Sequence, residues 1–375
     1  MQAIDALLRA AVERGDVVGI AAAAGNAAST LYEGAAGSRG SGQPMAPDTV
    51  GWLASMTKAI TTVAVLQQVE AGRLSLDAPI AEVLPALARP MVLEGRSLRP
   101  AKGAITLRQL LTHTSGFGYN MWHADLAAYM AKEGIPPVAS CRLRALEAPL
   151  VADPGTAWNY GIGIDWAGQA AEAVTGKTLD ALIREGVTGP LGMTDTVFRL
   201  GPVQRAKLSA MHKREADGRL TPIPFEMPQE PEFFMGGGGL YGTARDYLRF
   251  CRMWLNHGML DGAQVLRPET VAEAMRDHLG PLAVQQMVTA VPEASYDVPL
   301  FPGMRCGWGL SFLVNDEVGP DGRSAGSVFW AGLSNCYYWI DPKRDRAGVI
   351  VTQSLPFADP RVLAVLAAFE RAIYA

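Results

Sequence analysis

The sequence predicts an α/β fold: an antiparallel sheet flanked by helices, with an inserted all-helical domain. Three observations carry this expectation. Short strand-like runs of small residues, Val17 to Ala24 and Ser29 to Ala36, lie near the N-terminus. Strand-like runs return only late, at Trp308 to Asn315, Ser327 to Ala331, Tyr337 to Ile340 and Ala347 to Gln353. The stretch between reads as helices joined by Pro- and Gly-rich turns. A sheet begun at one end of the chain and finished at the other places 1–75 and 226–375 in one α/β domain and 76–225 in a helical one. The cleft between two such lobes is where a site is expected.

Taken in order, the chain opens with a helical pattern in which Ile4, Leu7, Leu8, Ala11 and Val12 share a face and Asp5, Arg9 and Glu13 interrupt it. That is an amphipathic helix rather than a signal peptide with an unbroken apolar centre, so a cytoplasmic location is expected. Gly25-Asn26 turns the first hairpin. An extended run, Val50 to Ala54, then meets a helical one, Thr57 to Ala71. In the middle region LSLDAPIAEVLP, ITLRQLLTHTSGF, GIDWAGQAAEAVTGKTLDALIREGV and GPLGMTDT read as helices, and a last helix runs from about Pro360 to Tyr374.

Composition bounds the function. The 375 residues are 49% apolar and 19% charged with a net charge of −4, as in an ordinary globular enzyme or binding protein. Weak acidity without basic blocks argues against nucleic acid or an anionic membrane as partner. No apolar run is long enough to span a membrane. Cys141, Cys251, Cys306 and Cys336 are scattered and read as buried thiols. With five histidines and no H-E-x-x-H, neither a metal nor a cofactor is implied.

The chemistry-bearing stretch is Gly51-Trp52-Leu53-Ala54-Ser55-Met56-Thr57-Lys58. Ser55 stands where the extended run meets the helix, and Lys58 projects on the same side one turn further in. Unpaired N–H groups and the positive end of the macrodipole surround such a serine and disfavour a second positive charge. An amine there is pushed towards its neutral, basic form, and a nucleophile beside a tuned base is what acyl transfer needs. The bland alternative is an N-cap serine and a solvated lysine. Two decoys are set aside. Gly322-Arg323-Ser324-Ala325-Gly326 has the nucleophile-elbow spacing but lies between a turn and a strand, so Ser324 receives no catalytic role. His113 reads as a structural histidine at a helix end, because no C-terminal histidine completes a triad. Tyr160 offers a phenol that can relay a proton. Gly236-Gly237-Gly238-Gly239 reads as close packing beside the site, not as a phosphate loop.

Five motifs occur in order: Ser55-Met-Thr-Lys58, Leu110-Leu-Thr-His-Thr-Ser-Gly-Phe117, Pro154-Gly…Tyr160, Pro190-Leu-Gly-Met-x-Asp-Thr196 and Gly236-Gly-Gly-Gly-Leu-Tyr-Gly-Thr-Ala-Arg-Asp246. As a set they resemble the serine β-lactamase and penicillin-binding-protein superfamily, most nearly the class C β-lactamase-like esterases called family VIII carboxylesterases. The resemblance implies Ser55 as nucleophile, Lys58 as its activating partner and Tyr160 in place of the Tyr-x-Asn tyrosine. Trp330-Ala331-Gly332 matches the position of Lys-Thr-Gly, which implies an oxyanion hole from the backbone N–H groups of Ser55 and Leu333. Two departures follow: Tyr160-Gly161-Ile162 lacks the asparagine, and Trp330 replaces the lysine. Apolar groups at those places favour a neutral acyl group over an anionic β-lactam. Trp330, Ala331 and Gly332 are expected to bind substrate, with Phe117 and Trp158 (and Trp122, Phe233 and Phe234) lining an apolar acyl pocket.

The expected function is hydrolysis of short-chain carboxylic esters through an acyl-enzyme, with a small-molecule ester as partner and no stated oligomeric state. Acyl transfer to an alcohol is the enzymic rival, since Gly332 to Asp341 resembles the same segment of statin-forming acyltransferases. A β-lactamase- or D-Ala-peptidase-like hydrolase, and a binding module with a vestigial site, are the remaining alternatives.

Overall fold

The computed structural model describes residues 1–40, 42–298 and 304–375. An eight-stranded sheet forms its centre. Its strands are β1 (Gly19–Gly25), β2 (Thr30–Gly40), β3 (Gln43–Pro44), β4 (Cys306–Trp308), β5 (Leu313–Asn315), β6 (Val328–Gly332), β7 (Cys336–Asp341) and β8 (Arg346–Val351). Their order is β4-β5-β6-β7-β8-β1-β2-β3, and every neighbouring pair is antiparallel. The sheet therefore closes the first strands of the chain against the last, at the β1–β8 pair. The run Trp308 to Asn315 is not one strand: Gly309 and Phe312 pair across a tight turn, with Ser311 at φ 75°, and divide it into β4 and β5.

Alternation along β7 assigns the two faces. Trp339 packs on Phe369 of the C-terminal helix, ring centroids 5.7 Å apart, while its neighbour Tyr338 packs on Tyr247 of the helix Ala244–Leu255 at 4.8 Å. The N-terminal helix α1 (Gln2–Glu13) joins the C-terminal helix on the first face. The second face carries the helix Ala244–Leu255, packed on β1, β7 and β8, and its Tyr247 hydroxyl donates to the Met56 carbonyl just before the helix that follows Ser55.

That helix, α2 (Thr57–Glu70), is buried nearly all round, including Lys58, Thr61, Thr62 and Gln68. A helix enclosed on every side sits between layers rather than on the surface. Its partners are α3 (Gly163–Thr175) in the middle region and the short helix Leu179–Ile183. Thr61 donates to the Gly236 carbonyl at 2.8 Å, and the Thr62 and Ser311 hydroxyls bond each other, so its polar residues are satisfied without solvent.

The middle region is mostly helix and turn but not wholly helical. Met91–Glu94 pairs with Ser97–Pro100, and Met211–Arg214 pairs with Leu220–Ile223. Met211–Arg214 also pairs, in parallel, with Ser354–Leu355, so the end of the segment 76–225 is fastened to the C-terminal part of the chain. LSLDAPIAEVLP forms two single turns, Ile80–Glu82 and Pro85–Leu87, instead of one helix, because Pro79 and Pro85 break the ladder. ITLRQLLTHTSGF keeps only Leu107–Leu111, started by a Thr106–Gln109 capping box. Pro190 to Thr196 is a run of turns.

Candidate active site

The segment that carries Ser55 is clamped on both sides. Gly51–Trp52 pairs with Tyr241–Gly242, and Leu53 N donates to the Leu240 carbonyl at 2.9 Å. On the other side Ser334 Oγ and Gln353 Nε2 both donate to the Trp52 carbonyl, at 2.6 and 3.1 Å. Gly332 at the end of β6 lies so close to Leu53 that a Cβ would overlap the Leu53 carbonyl. Between these restraints Ala54 adopts φ 46°, a left-handed conformation uncommon for a side chain with a Cβ. Strain of this kind persists only where the surroundings impose it, and it lifts Ser55 into the single turn Ala54–Met56 ahead of α2.

Lys58 is completely buried one turn further on. Its Nζ lies 3.0 Å from Ser55 Oγ, 3.0 Å from the Tyr119 hydroxyl and 2.6 Å from the Gly237 carbonyl. Burial pushes the amine down to about 7, against the opposing pull of Asp165. Of these partners the carbonyl can only accept and Tyr119 is free to accept. A neutral amine donating its two N–H groups to them keeps its lone pair for the third direction, which is Ser55.

Tyr160 approaches from the other side. Its hydroxyl accepts from Trp330 Nε1 at 2.8 Å, and Lys58 Nζ sits 4.7 Å from its ring centre. Burial raises the phenol above its ordinary range, so Tyr160 is a protonated hydroxyl, fit to give a proton. His113, at φ 57°, accepts from Gly161 N at 3.3 Å and packs 4.5 Å from the Tyr160 ring. Burial holds its imidazole neutral, and its contacts brace the tyrosine segment. Ser324 sits in the β5–β6 connection with its N–H on Asp341, away from this group.

The cleft in front of Ser55 is lined by Trp52, Ala54, Tyr119 to Trp122, Pro137 to Ala139, Met235, Gly237, Gly238 and Leu333. Ser55 and Leu333 are half-buried within it. Of the expected pocket aromatics only Trp122 is there. Phe117 stacks on Trp166 at 6.2 Å, Trp158 packs against His113 and Trp308, and Phe234 packs on Phe198. Three further expectations change. Trp330 stands directly across β6–β7 from Tyr338 and therefore on the same face as the site, but it is 3% exposed and its indole N–H is spent on Tyr160. Ala331, the next residue along the strand, points to the opposite face, with Leu363 and Leu366. Gly332 serves by close approach to Leu53 rather than by a side chain.

Tyr119 and Asp165 escaped the sequence reading. Neither falls in a motif, and each reaches Lys58 only through tertiary packing: Tyr119 directly, Asp165 through Gly237, whose N–H it accepts at 2.8 Å. Among the described residues no group of three or more His, Cys, Asp or Glu is placed to hold a metal ion.

Comparison with known proteins adds to this geometry. The Beta-lactamase family model matches residues 4–372. The chain is 35% identical to monacolin J acid methylbutanoyltransferase of Aspergillus terreus over 88% of its own length and 83% of that protein's. It is 34% identical to lovastatin esterase of Penicillium rubens, over 97% and 95% of the two chains. A mutant simvastatin synthase from Aspergillus terreus superposes with a TM-score of 0.87 at 31% identity, covering 100% of this chain and 96% of that one.

Proposed function

The chain belongs to the beta-lactamase family, and from that premise we propose that it is a serine acyl-transfer enzyme hydrolysing short, neutral carboxylic esters through an acyl-enzyme on Ser55. One observation carries the reading: a wholly buried Lys58, depressed to about 7, whose third hydrogen-bonding direction meets Ser55 Oγ at 3.0 Å. Neutral Lys58 takes the Ser55 proton as Oγ attacks the acyl carbonyl. The N–H groups of Ser55 and Leu333, on the two sides of the Gly332–Leu53 contact, receive the oxyanion. Tyr160 gives its proton to the departing alkoxide and is reprotonated from Lys58, after which water enters by the same route in reverse. The apolar lining, with Met121, Trp122, Val138, Met235 and Leu333, suits a short hydrocarbon acyl chain.

A second reading differs only in the acceptor: an alcohol in place of water. The methylbutanoyltransferase relative supports it and the lovastatin esterase relative supports water, and both acceptors resolve the same acyl-enzyme. A panel of p-nitrophenyl esters from C2 to C6, each with and without added alcohol, tests both. Ser55-dependent release of free acid is expected from the esters, with part of the acyl group diverted to a new ester when alcohol is present. Absence of any turnover that depends on Ser55 would refute the proposal.

A further inference from the structure

We propose that Asp165 is a positioning residue which, through Gly237, aims Lys58 at Ser55 and sets the pH at which the nucleophile is activated. This inference rests on the acyl-transfer reading above. The connection is a single residue, Gly237, through its own N–H and its own carbonyl. Asp165 Oδ1 accepts the Gly237 N–H at 2.8 Å, and the carbonyl of the same residue accepts from Lys58 Nζ at 2.6 Å. A carboxylate fixed on one end of Gly237 thereby directs the other end at the lysine. Asp165 is 1% exposed, and its Oδ2 has no hydrogen-bond partner. That is an expensive arrangement for a carboxylate, and a purely structural acceptor would be met as well by a neutral amide. Gly237 is tied to the arrangement, because a Cβ there would come within 2.5 Å of Asp165 Oδ2 and 2.9 Å of the Tyr119 hydroxyl. A glycine is required if carboxylate, phenol and lysine are to share that space.

The charge acts in a defined direction. The groups facing Lys58 are Ser55 on the preceding turn, Tyr119, Tyr160 and His113 from the middle region, and Asp165 on α3. Those facing Asp165 include Lys58, Tyr119, Tyr160 and Cys141. Burial keeps His113 and the two phenols uncharged across neutral pH, so Asp165 supplies the one opposing charge that favours a protonated Lys58. Removing it lets the amine lose its proton at lower pH.

The test is the pH dependence of kcat/KM for p-nitrophenyl butyrate, measured for the full chain and for Asp165→Asn, with thermal unfolding followed for each. The amide retains an acceptor for the Gly237 N–H but carries no charge. The ascending limb is expected to move to lower pH by on the order of one unit or more, with the maximal rate within about tenfold of the parent's. An unmoved limb in a folded Asp165→Asn enzyme, beside inactive Ser55→Ala and Lys58→Ala, overturns the inference and leaves the acyl-transfer reading standing. An active Ser55→Ala enzyme instead removes that reading. If the amide does not fold, Asp165→Ser is measured on the same limb, and failure of both variants to fold assigns Asp165 to folding and overturns the proposal.

Discussion

At the scale of residues, the site is a contest over one proton. Lys58 has lost its water, so the amine deprotonates near neutrality instead of near its solution value of about 10.4, even with two acceptors and Asp165 pulling the other way. Initial rates of ester hydrolysis should therefore climb through pH 7 and level off above it, because the neutral amine is the active form and its fraction saturates once the pH exceeds its pKa. Lys58→Ala should lose several orders of magnitude, and a flat profile from pH 5 to 9 would remove the lysine from the acylation step. Tyr160→Phe should cost less, since it removes a donor and leaves the base. Trp330 was legible as the residue replacing a lysine, but its role was not. Strand alternation turns its side chain to the site face, and the indole N–H then meets Tyr160 rather than a substrate. Trp330→Phe should keep the packing and lose that bond, lowering kcat by up to about tenfold, in line with about 1 kcal/mol for one hydrogen bond; a change in KM alone would return Trp330 to substrate binding.

At the scale of elements, a glycine-rich turn and the glycine-bearing end of β6 hold the turn that carries Ser55. Gly236 to Gly239 were readable from the sequence as a place of close approach, and none of the four lies at positive φ. Their absent side chains matter because Thr61, Asp165, Met235 and Phe198 already occupy the space. Gly332 makes the same argument for β6. Gly332→Ala should push that strand end away from Leu53, separate the Ser55 and Leu333 N–H groups, and reduce kcat by about a hundredfold, the cost of a misaligned oxyanion donor. Kinetics and circular dichroism on one sample would show it, and unchanged kcat would detach Leu333 from the oxyanion. The Ser55–Lys58 pair was legible because helix geometry fixes residues three apart. Asp165 was not, because it meets Lys58 across Gly237, 72 residues further along the chain than itself.

At the scale of the whole molecule, the return of strands after residue 300 foretold a sheet shared by both ends of the chain, and β1 does pair with β8. The hairpins at 91–100 and 211–223 were hidden because runs of four residues beside prolines carry little periodicity. The second hairpin also holds a buried ion pair: Arg214 binds Asp359 at the start of the C-terminal helix and donates to the carbonyls of Gly15, Asp16 and Gly218. Arg214→Ala leaves Asp359 without that partner and should cost about 3–5 kcal/mol in denaturant unfolding. A loss below 1 kcal/mol would show that the pair is dispensable to the fold. Substrate class is set at this scale too. Among the described residues no cation lines the cleft, and Lys58 is buried behind it, so kcat/KM for a C2–C6 acyl ester should exceed that for benzylpenicillin. The central claim, that Ser55 is the nucleophile and Lys58 its base, is tested most directly by peptide mapping after reaction with a fluorophosphonate probe. The account predicts a single adduct on the peptide bearing Ser55, lost in Lys58→Ala, whereas an adduct on Ser324, or no adduct on a folded enzyme, would contradict it.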